Sequence, residues 1–147
     1  MLNKSIQGVI YALPKYMIDR IFDEGRDVYV KYLSKEPSKK SKIKLYKGMK
    51  LYFYASQHNK SILGEATIND ILFLNKNELR RNLMNRLILD TNELTDYCSG
   101  REEKKMLALI IKNLKKYNKP ICLKQPVNMG GLYITDYNKE ALGFKDE

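Results

Sequence analysis

Residues 50–66, KLYFYASQHNKSILGEA, contain an aromatic run that breaks at a polar turn and continues as an apolar run. Polar or aromatic side chains occupy every second position of the first run, namely Lys50, Tyr52, Tyr54 and Ser56. The positions between them are apolar, namely Leu51, Phe53 and Ala55. Because a two-residue period is typical of a strand with unlike faces, the stretch predicts a hairpin of strands 47–56 and 62–74. Gly64 predicts a bulge or a close backbone approach.

The chain before this hairpin predicts a strand, a helix and a second strand. SIQGVIYAL (5–13) is short and β-branched, and Pro14 after it suits the first turn of a helix over 14–25 that Gly25 would end. In RDVYVKYL (26–33), Val28 and Val30 alternate with Tyr29 and Lys31, which predicts a strand with one buried apolar face and one aromatic-basic face. Residues 34–43 are polar and rich in lysine, so we expect an exposed loop there.

After the hairpin, the spacing of apolar residues changes from that of strands to that of helices. Residues 75–89, capped by Asn75 or Asn77, and residues 91–100 predict two helices, an insertion over about 75–100. MLALIIK (106–112) predicts a buried strand followed by a turn or helix, with one long helix as the alternative. Two short strands, 121–127 and 131–136, and a frayed end, 138–147, would complete the chain. Many short strands with few helices predict an α+β protein, a small, mostly antiparallel, partly closed barrel rather than a doubly wound sheet.

Length and composition are those of one domain, 1–147, with a single core. No apolar stretch approaches the roughly 18 residues of a membrane span. The N-terminus lacks the features of a signal peptide, so we expect a cytoplasmic protein without a membrane partner. Cys98 and Cys122 stand far apart and His58 is the only histidine, so the sequence predicts neither a metal site nor a cofactor.

Positive charge is unevenly distributed. The net charge is +10, and residues 1–60 hold 13 Lys and Arg against 5 Asp and Glu, while residues 61–147 hold 14 against 12. Most of the excess lies in residues 35–50, with seven lysines and one acid. Such a segment is the footprint expected of a phosphate-backbone binder. The alternative is compositional, because an AT-rich genome or a thermophilic origin also raises lysine content.

Several motifs, taken in order, resemble a known superfamily. GVIYALPKYMIDRIFDEGRDVYVKYL (8–33) resembles the start of PUA-like domains, a group that includes PUA, ASCH and EVE domains. GMKLYFYASQ (48–57) and ILGEATI (62–68) are similar to the hairpin that follows in those folds. With LKKYNKPI (114–121) and PVNMGGLYI (126–134), they resemble an uncharacterised archaeal family of PUA-like proteins over residues 6 to 135.

The resemblance implies a pseudo-barrel whose cleft handles RNA or, in some relatives, a modified nucleoside. One ASCH branch includes small amidohydrolases that act on an acetylated cytidine and rely on a Gly-x-Lys start to the second strand, with a Thr and a Glu. Here that start reads Gly25-Arg26-Asp27, so an acid stands at the position of the lysine. Glu65 is the candidate for the glutamate.

Tyrosines and lysines on the strands supply the candidate binding surface. Two neighbouring strands would form one platform from Tyr29 and Lys31 and from Tyr52, Tyr54 and Ser56. Rings on such a platform stack on bases and ammonium groups neutralise phosphates. The alternatives are that the tyrosines only cover the barrel and that the polar residues after the strand only form a turn. The full candidate set is Tyr29, Lys31, Lys39, Lys40, Lys42, Lys50, Tyr54, Ser56, Gln57, His58 and Lys124.

We therefore expect a nucleic-acid-binding module, RNA before DNA, that holds RNA or a modified nucleotide in a basic, tyrosine-bearing cleft. The alternative from another class is a small hydrolase acting on a modified nucleoside, with Glu65 as acid/base and Lys31 positioning the substrate. The residues favour binding over catalysis. A protein-partner scaffold is a third interpretation, and the oligomeric state stays open.

Overall fold

The computed structural model describes residues 6–32, 45–56, 60–124, 127, 131–135 and 143. The predicted lysine-rich loop 34–43 and, apart from Gly143, the predicted frayed end 138–147 lie outside the described residues. The elements are β1 (Ile6–Leu13), α1 (Lys15–Glu24), β2 (Val28–Lys31), β3 (Lys50–Ala55), β4 (Ser61–Leu74), α2 (Lys76–Asn82), α3 (Thr91–Cys98), β5 (Met106–Cys122) and β6 (Leu132–Thr135), with a 3₁₀ turn at Met84–Arg86. None of these helices is long and apolar enough to cross a membrane.

The six strands form one curled sheet in the order β2-β5-β4-β3-β1-β6. Neighbouring strands are antiparallel except for the parallel pair β1 and β3. Three strands separate β1 from β2 in this order, yet the rings of Tyr11 in β1 and Tyr29 in β2 stack with centroids 5.1 Å apart. The sheet must therefore curl until its β2 edge faces β1. The prediction of an α+β, mostly antiparallel, partly closed barrel is confirmed.

Curling gives the sheet an inner and an outer face. The inner face holds the main core, which α1 closes with Ile18 and Ile21. On the outer face, α2 and α3 cover the end of the sheet near β2 and the first half of β5. A separate outer cluster, around Tyr54 and Ile62, includes residues of β6 and lies at the other end of the strands.

The helix ends follow local chemistry. Gly25 ends α1 in the left-handed conformation at φ +69°, as predicted. Asn75 begins α2 with a capping box that includes Glu78. The predicted helix 75–89 is too long, because α2 ends at Asn82 and the Ile88 amide donates to the Val28 carbonyl oxygen at 3.1 Å.

Strand β5 differs most from the sequence prediction. Residues 106–122 form one strand, so the turn or helix after residue 112, the separate strand beginning at residue 121 and the long-helix alternative are all wrong. Between Lys112, opposite Thr67, and Lys115, opposite Glu65, β5 advances three residues while β4 advances two. Asn113 takes up the extra residue at φ +54°. This bulge resets the alternation, which is why the pattern could not be followed through it.

Gly64 lies at both features that the sequence predicted. Gly64 pairs with Phe53 and Ile62 pairs with Tyr54, which leaves Leu63 as the extra residue of a bulge. A Cβ at residue 64 would meet the Phe22 ring at 2.4 Å and the Lys115 carbonyl oxygen at 2.6 Å. The backbone of β5 and the ring from α1 therefore approach residue 64 closely.

Candidate functional site

Tyr29 and Lys31 lie on the inner face of the sheet. The Tyr29 ring is 6% exposed and stacks on Tyr11. The Lys31 ammonium lies 5.2 Å from the centroid of the Tyr11 ring, and its side chain is half-buried. Burial raises the pKa of the Tyr11 and Tyr29 hydroxyls and lowers the pKa of Lys31.

This inner cluster of Tyr11, Tyr29 and Lys31 combines aromatic rings with an ammonium in a partly desolvated place. The ring of Tyr11 attracts the Lys31 cation through its quadrupole. Burial weakens the screening of a charge, so an anionic group that reached Lys31 would attract its ammonium and stabilise the charged form that burial disfavours. The cluster can therefore recognise a phosphate or another anion.

Tyr52 and Tyr54 lie on the opposite face from Tyr29 and Lys31. Strand β3 pairs with β1 and β4, whereas β2 pairs with β5. Tyr54 is 2% exposed and packs in the outer cluster with Ile62. The prediction that β2 and β3 are neighbours and share one platform is wrong, because the long strand β5 separates β2 from the hairpin of β3 and β4.

Glu65 is held on the outer face by two neighbours. The ammonium nitrogen of Lys50 lies 2.5 Å from Glu65 Oε2, and the Tyr117 hydroxyl donates to Glu65 Oε1 at 2.8 Å. Burial alone would raise the pKa of this carboxyl, but hydrogen bonds from Lys50 and Tyr117 and the charges of Lys50 and Lys115 lower it. Glu65 is therefore a stable anion that orients Lys50 and Tyr117.

The other candidate residues are scattered. Ser56 is half-buried just after β3, and its amide donates to the Leu13 carbonyl oxygen at 3.3 Å. Lys124 is exposed after the end of β5. The remaining candidates lie outside the described residues, namely Lys39, Lys40, Lys42, Gln57 and His58. The structure therefore brings Tyr29 together with Lys31, and Lys50 together with Glu65.

The sequence interpretation missed the basic second half of β5. Residues 112–120 lie along one strand, and all of them except the half-buried Tyr117 are exposed. Their lysines are Lys112, Lys115, Lys116 and Lys119. The signal was present as a lysine run around Tyr117, but the predicted turn or helix concealed that these residues extend the sheet.

Most of the chain matches a known protein family. Residues 6–136 match the model of a family described as a domain of unknown function, DUF365. The chain belongs to the DUF365 family. This DUF365 chain is similar to the uncharacterized protein MJECS03 of Methanocaldococcus jannaschii, with 29% identity over 104 residues that cover 64% of this chain and 96% of that protein.

Solved structures with a similar fold come from the ASCH group. The DUF365 chain superposes on ASCH from Zymomonas mobilis with a TM-score of 0.74 and 18% identity, covering 92% of this chain and 93% of the other. A serine-to-alanine point mutant of that Zymomonas mobilis protein gives a TM-score of 0.75 and 17% identity, covering 95% of this chain and 96% of the mutant. The predicted PUA-like, ASCH-like fold is thereby confirmed.

Asp27 of the DUF365 chain occupies the position at which the resemblance to ASCH amidohydrolases calls for lysine. Its two carboxylate oxygens accept hydrogen bonds from Arg86 Nε and a terminal guanidinium nitrogen, each at 2.8 Å. The hydrogen bond to Asp27 raises the pKa of Arg86. Asp27 therefore joins the start of β2 to the 3₁₀ turn after α2, a structural contact between the sheet and the helices.

Proposed function

We propose that this DUF365 protein is a nucleic-acid-binding module, RNA before DNA, that holds RNA or a modified nucleotide in a basic, tyrosine-bearing cleft beside Lys31. The observation that carries the proposal is the position of Lys31 over the Tyr11 ring. The net charge of +10 supports it, because a positive protein attracts a polyanion over long range. In this proposal Lys31 pairs with a phosphate, while lysines elsewhere supply salt-dependent affinity.

The arrangement does not support the hydrolase that pairs Glu65 with Lys31. Glu65 lies on the outer face with Lys50 and Tyr117, and Lys31 lies on the inner face beside Tyr11. One substrate cannot contact both groups through the sheet, so this predicted pairing is wrong. A carboxyl with a lowered pKa is also a poor proton donor near neutral pH.

Fluorescence anisotropy with a labelled 20-nucleotide RNA of mixed sequence tests the proposal, using Lys31→Met as the variant. Methionine keeps the length and apolar stem of the side chain but removes the charge. Losing one charged hydrogen bond, about 1.5 kcal/mol or more, should weaken binding roughly 10-fold. Lys105→Met, which removes an exposed charge beside the start of β5, is the matched control and should weaken binding by about 2-fold at most.

Two results would contradict the proposal: no RNA binding by the wild-type protein, or equal losses from the two variants. Circular dichroism of both variants establishes that the fold is intact. The modified-nucleotide part has its own test, in which nucleic acid that co-purifies with the protein is digested and analysed by mass spectrometry. Enrichment of a modified nucleoside in the wild-type sample and its loss in Lys31→Met would support that part, and a sample with only unmodified nucleosides would refute it.

A further inference from the structure

The uncovered middle of the outer face carries lysines and tyrosines in registered rows. Lys50 of β3, Thr67 of β4 and Lys112 of β5 are cross-strand partners and form one row. Tyr52, Glu65 and Lys115 form the next row in the same way. Side chains at paired positions share a face of the sheet. We call the set of Lys50, Tyr52, Glu65, Lys112, Lys115 and Tyr117 the outer platform.

The outer platform lies between the two outer apolar clusters. The helical cluster covers β5 as far as Ile110, and the cluster around Tyr54 begins again at Tyr117. Lys112 and Lys115 between them are exposed, and the Lys50 side chain is 47% exposed. Glu65 is the one acidic side chain among the platform residues, and its own side chain is 14% exposed. The solvent therefore meets a surface on which lysines dominate.

The tyrosines of the outer platform are held in place. Tyr117 is partly buried against the cluster around Tyr54, and its hydroxyl is fixed by Glu65. Gly8 leaves room for the ring of Tyr52, since a Cβ at residue 8 would lie 2.9 Å from that ring. A ring that is already oriented loses little conformational entropy when a base stacks on it.

From these rows we infer that the outer platform is a binding surface for a single-stranded nucleic acid that runs along β5. The inference rests on the proposed function and adds a second surface to it. Phosphates would follow the exposed lysines of β5, from Lys112 and Lys115, which lie opposite β4 residues, to Lys119 in the irregular stretch between Lys116 and Ile121 where the register shifts. A duplex fits less well, because its stacked bases leave no ring face for Tyr52 and Tyr117.

The charges of the surface are tested with a labelled 20-nucleotide oligouridine and the triple variant Lys112→Gln/Lys115→Gln/Lys119→Gln. Each phosphate contact on a single strand contributes about 0.7 to the slope of log K against log salt. Removing three contacts should make the slope shallower by about 2 and weaken binding about 100-fold at 0.1 M salt. The control, Arg80→Gln/Arg81→Gln/Lys105→Gln, removes the same charge from exposed positions on α2 and beside the start of β5 and should keep the wild-type slope within about 0.5.

The rings are tested at Tyr117 with a pair of substitutions. Tyr117→Phe removes the hydrogen bond to Glu65 but keeps the ring, and Tyr117→Leu removes both. If the ring stacks on a base, Leu should weaken oligouridine binding about 5-fold or more and Phe should stay near the wild-type affinity. Equal effects of Phe and Leu would overturn the stacking role.

Other outcomes separate this inference from the proposed function. Loss of RNA binding in Lys31→Met, with an unchanged salt slope in the β5 triple variant, would refute binding at the outer platform and support the proposed function. Equal loss in the β5 triple variant and its control would mean general attraction to a polyanion and would also overturn the inference. So would binding to vesicles rich in phosphatidylserine through the same lysines with no binding to oligouridine. A wild-type protein that binds neither RNA nor oligouridine would refute both.

Discussion

Gly64→Ala should destabilise the protein because residue 64 has no room for a methyl group. The new Cβ would lie 2.4 Å from the Phe22 ring and 2.6 Å from the Lys115 carbonyl oxygen. The nearest ring atom is Phe22 Cζ, which lies on the axis of ring rotation, so only a shift of the whole Phe22 side chain relieves that contact. The carbonyl belongs to the paired strand β5 and moves only if the sheet shifts. The substitution therefore tests the bulge of β4, the packing of α1 and the register of β5 together.

The expected magnitude follows from two opposing effects. Overpacking a core usually costs about 1–3 kcal/mol, and a backbone contact puts this site near the upper end. Alanine recovers about 0.4–1 kcal/mol because it restricts the unfolded chain more than glycine does. The net loss should be about 2 kcal/mol, which lowers the urea midpoint by roughly 1 M and the melting temperature by about 4–8 °C.

Urea titrations followed by circular dichroism measure this loss, and a second substitution identifies its cause. Phe22→Leu shortens the ring that the new methyl group meets, so the double variant should recover about 0.5–1 kcal/mol relative to the sum of the single effects. The Lys115 contact remains, so recovery should be partial. Stability of Gly64→Ala within about 0.5 kcal/mol of the wild type, or strict additivity with Phe22→Leu, would refute the described packing.

Three further predictions concern stability. Burial raises the Tyr29 pKa above 10.0, so the stability that depends on its neutral hydroxyl is present below pH 10 and is lost at higher pH. Tyr29→Phe should therefore flatten the fall of the urea midpoint between pH 9 and 11. Despite burial, hydrogen bonds from its neighbours lower the Glu65 pKa below 4.5. The difference in stability between wild type and Glu65→Gln at pH 7 should therefore vanish as the pH falls below that value, which urea midpoints measured across the acid range test. Asn75→Ala should cost about 1 kcal/mol in urea and Asn77→Ala much less, because the cap of α2 is Asn75.

Local chemistry made a large part of the fold predictable from the sequence. Strand β1, helix α1 and the hairpin of β3 and β4 lie where alternation, Pro14 and Gly25 placed them. Each of these signals acts over a few residues, so no knowledge of the rest of the chain was needed. Even the role of Gly64 could be predicted, since an isolated glycine in a strand indicates a bulge or a close approach.

Strand order could not be predicted in the same way. β2 pairs with β5 across a sequence separation that includes the hairpin and two helices, and no local pattern encodes that pairing. Alternation in β2 and β3 showed that each strand has two unlike faces but not which face points inward. The predicted platform therefore combined residues of opposite faces, and the exposed lysines of β5 were left out of it.

The separation of the two surfaces gives a prediction about their energetics. Lys31 contacts Tyr11 on the inner face, whereas Lys115 lies opposite Glu65 on the outer face, and the sheet stands between them. Substitutions that share no partners usually add within about 0.3–0.5 kcal/mol. The binding free energies lost in Lys31→Met and Lys115→Gln should therefore add in the double variant, measured by anisotropy with the same 20-nucleotide RNA at 0.1 M salt. Lys50→Gln with Lys115→Gln is the comparison, because both lysines act on Glu65 and should couple by more than about 0.5 kcal/mol. Strong coupling between Lys31 and Lys115 would mean that one ligand group reaches both lysines, which a nucleic-acid strand bound along the outer face cannot do.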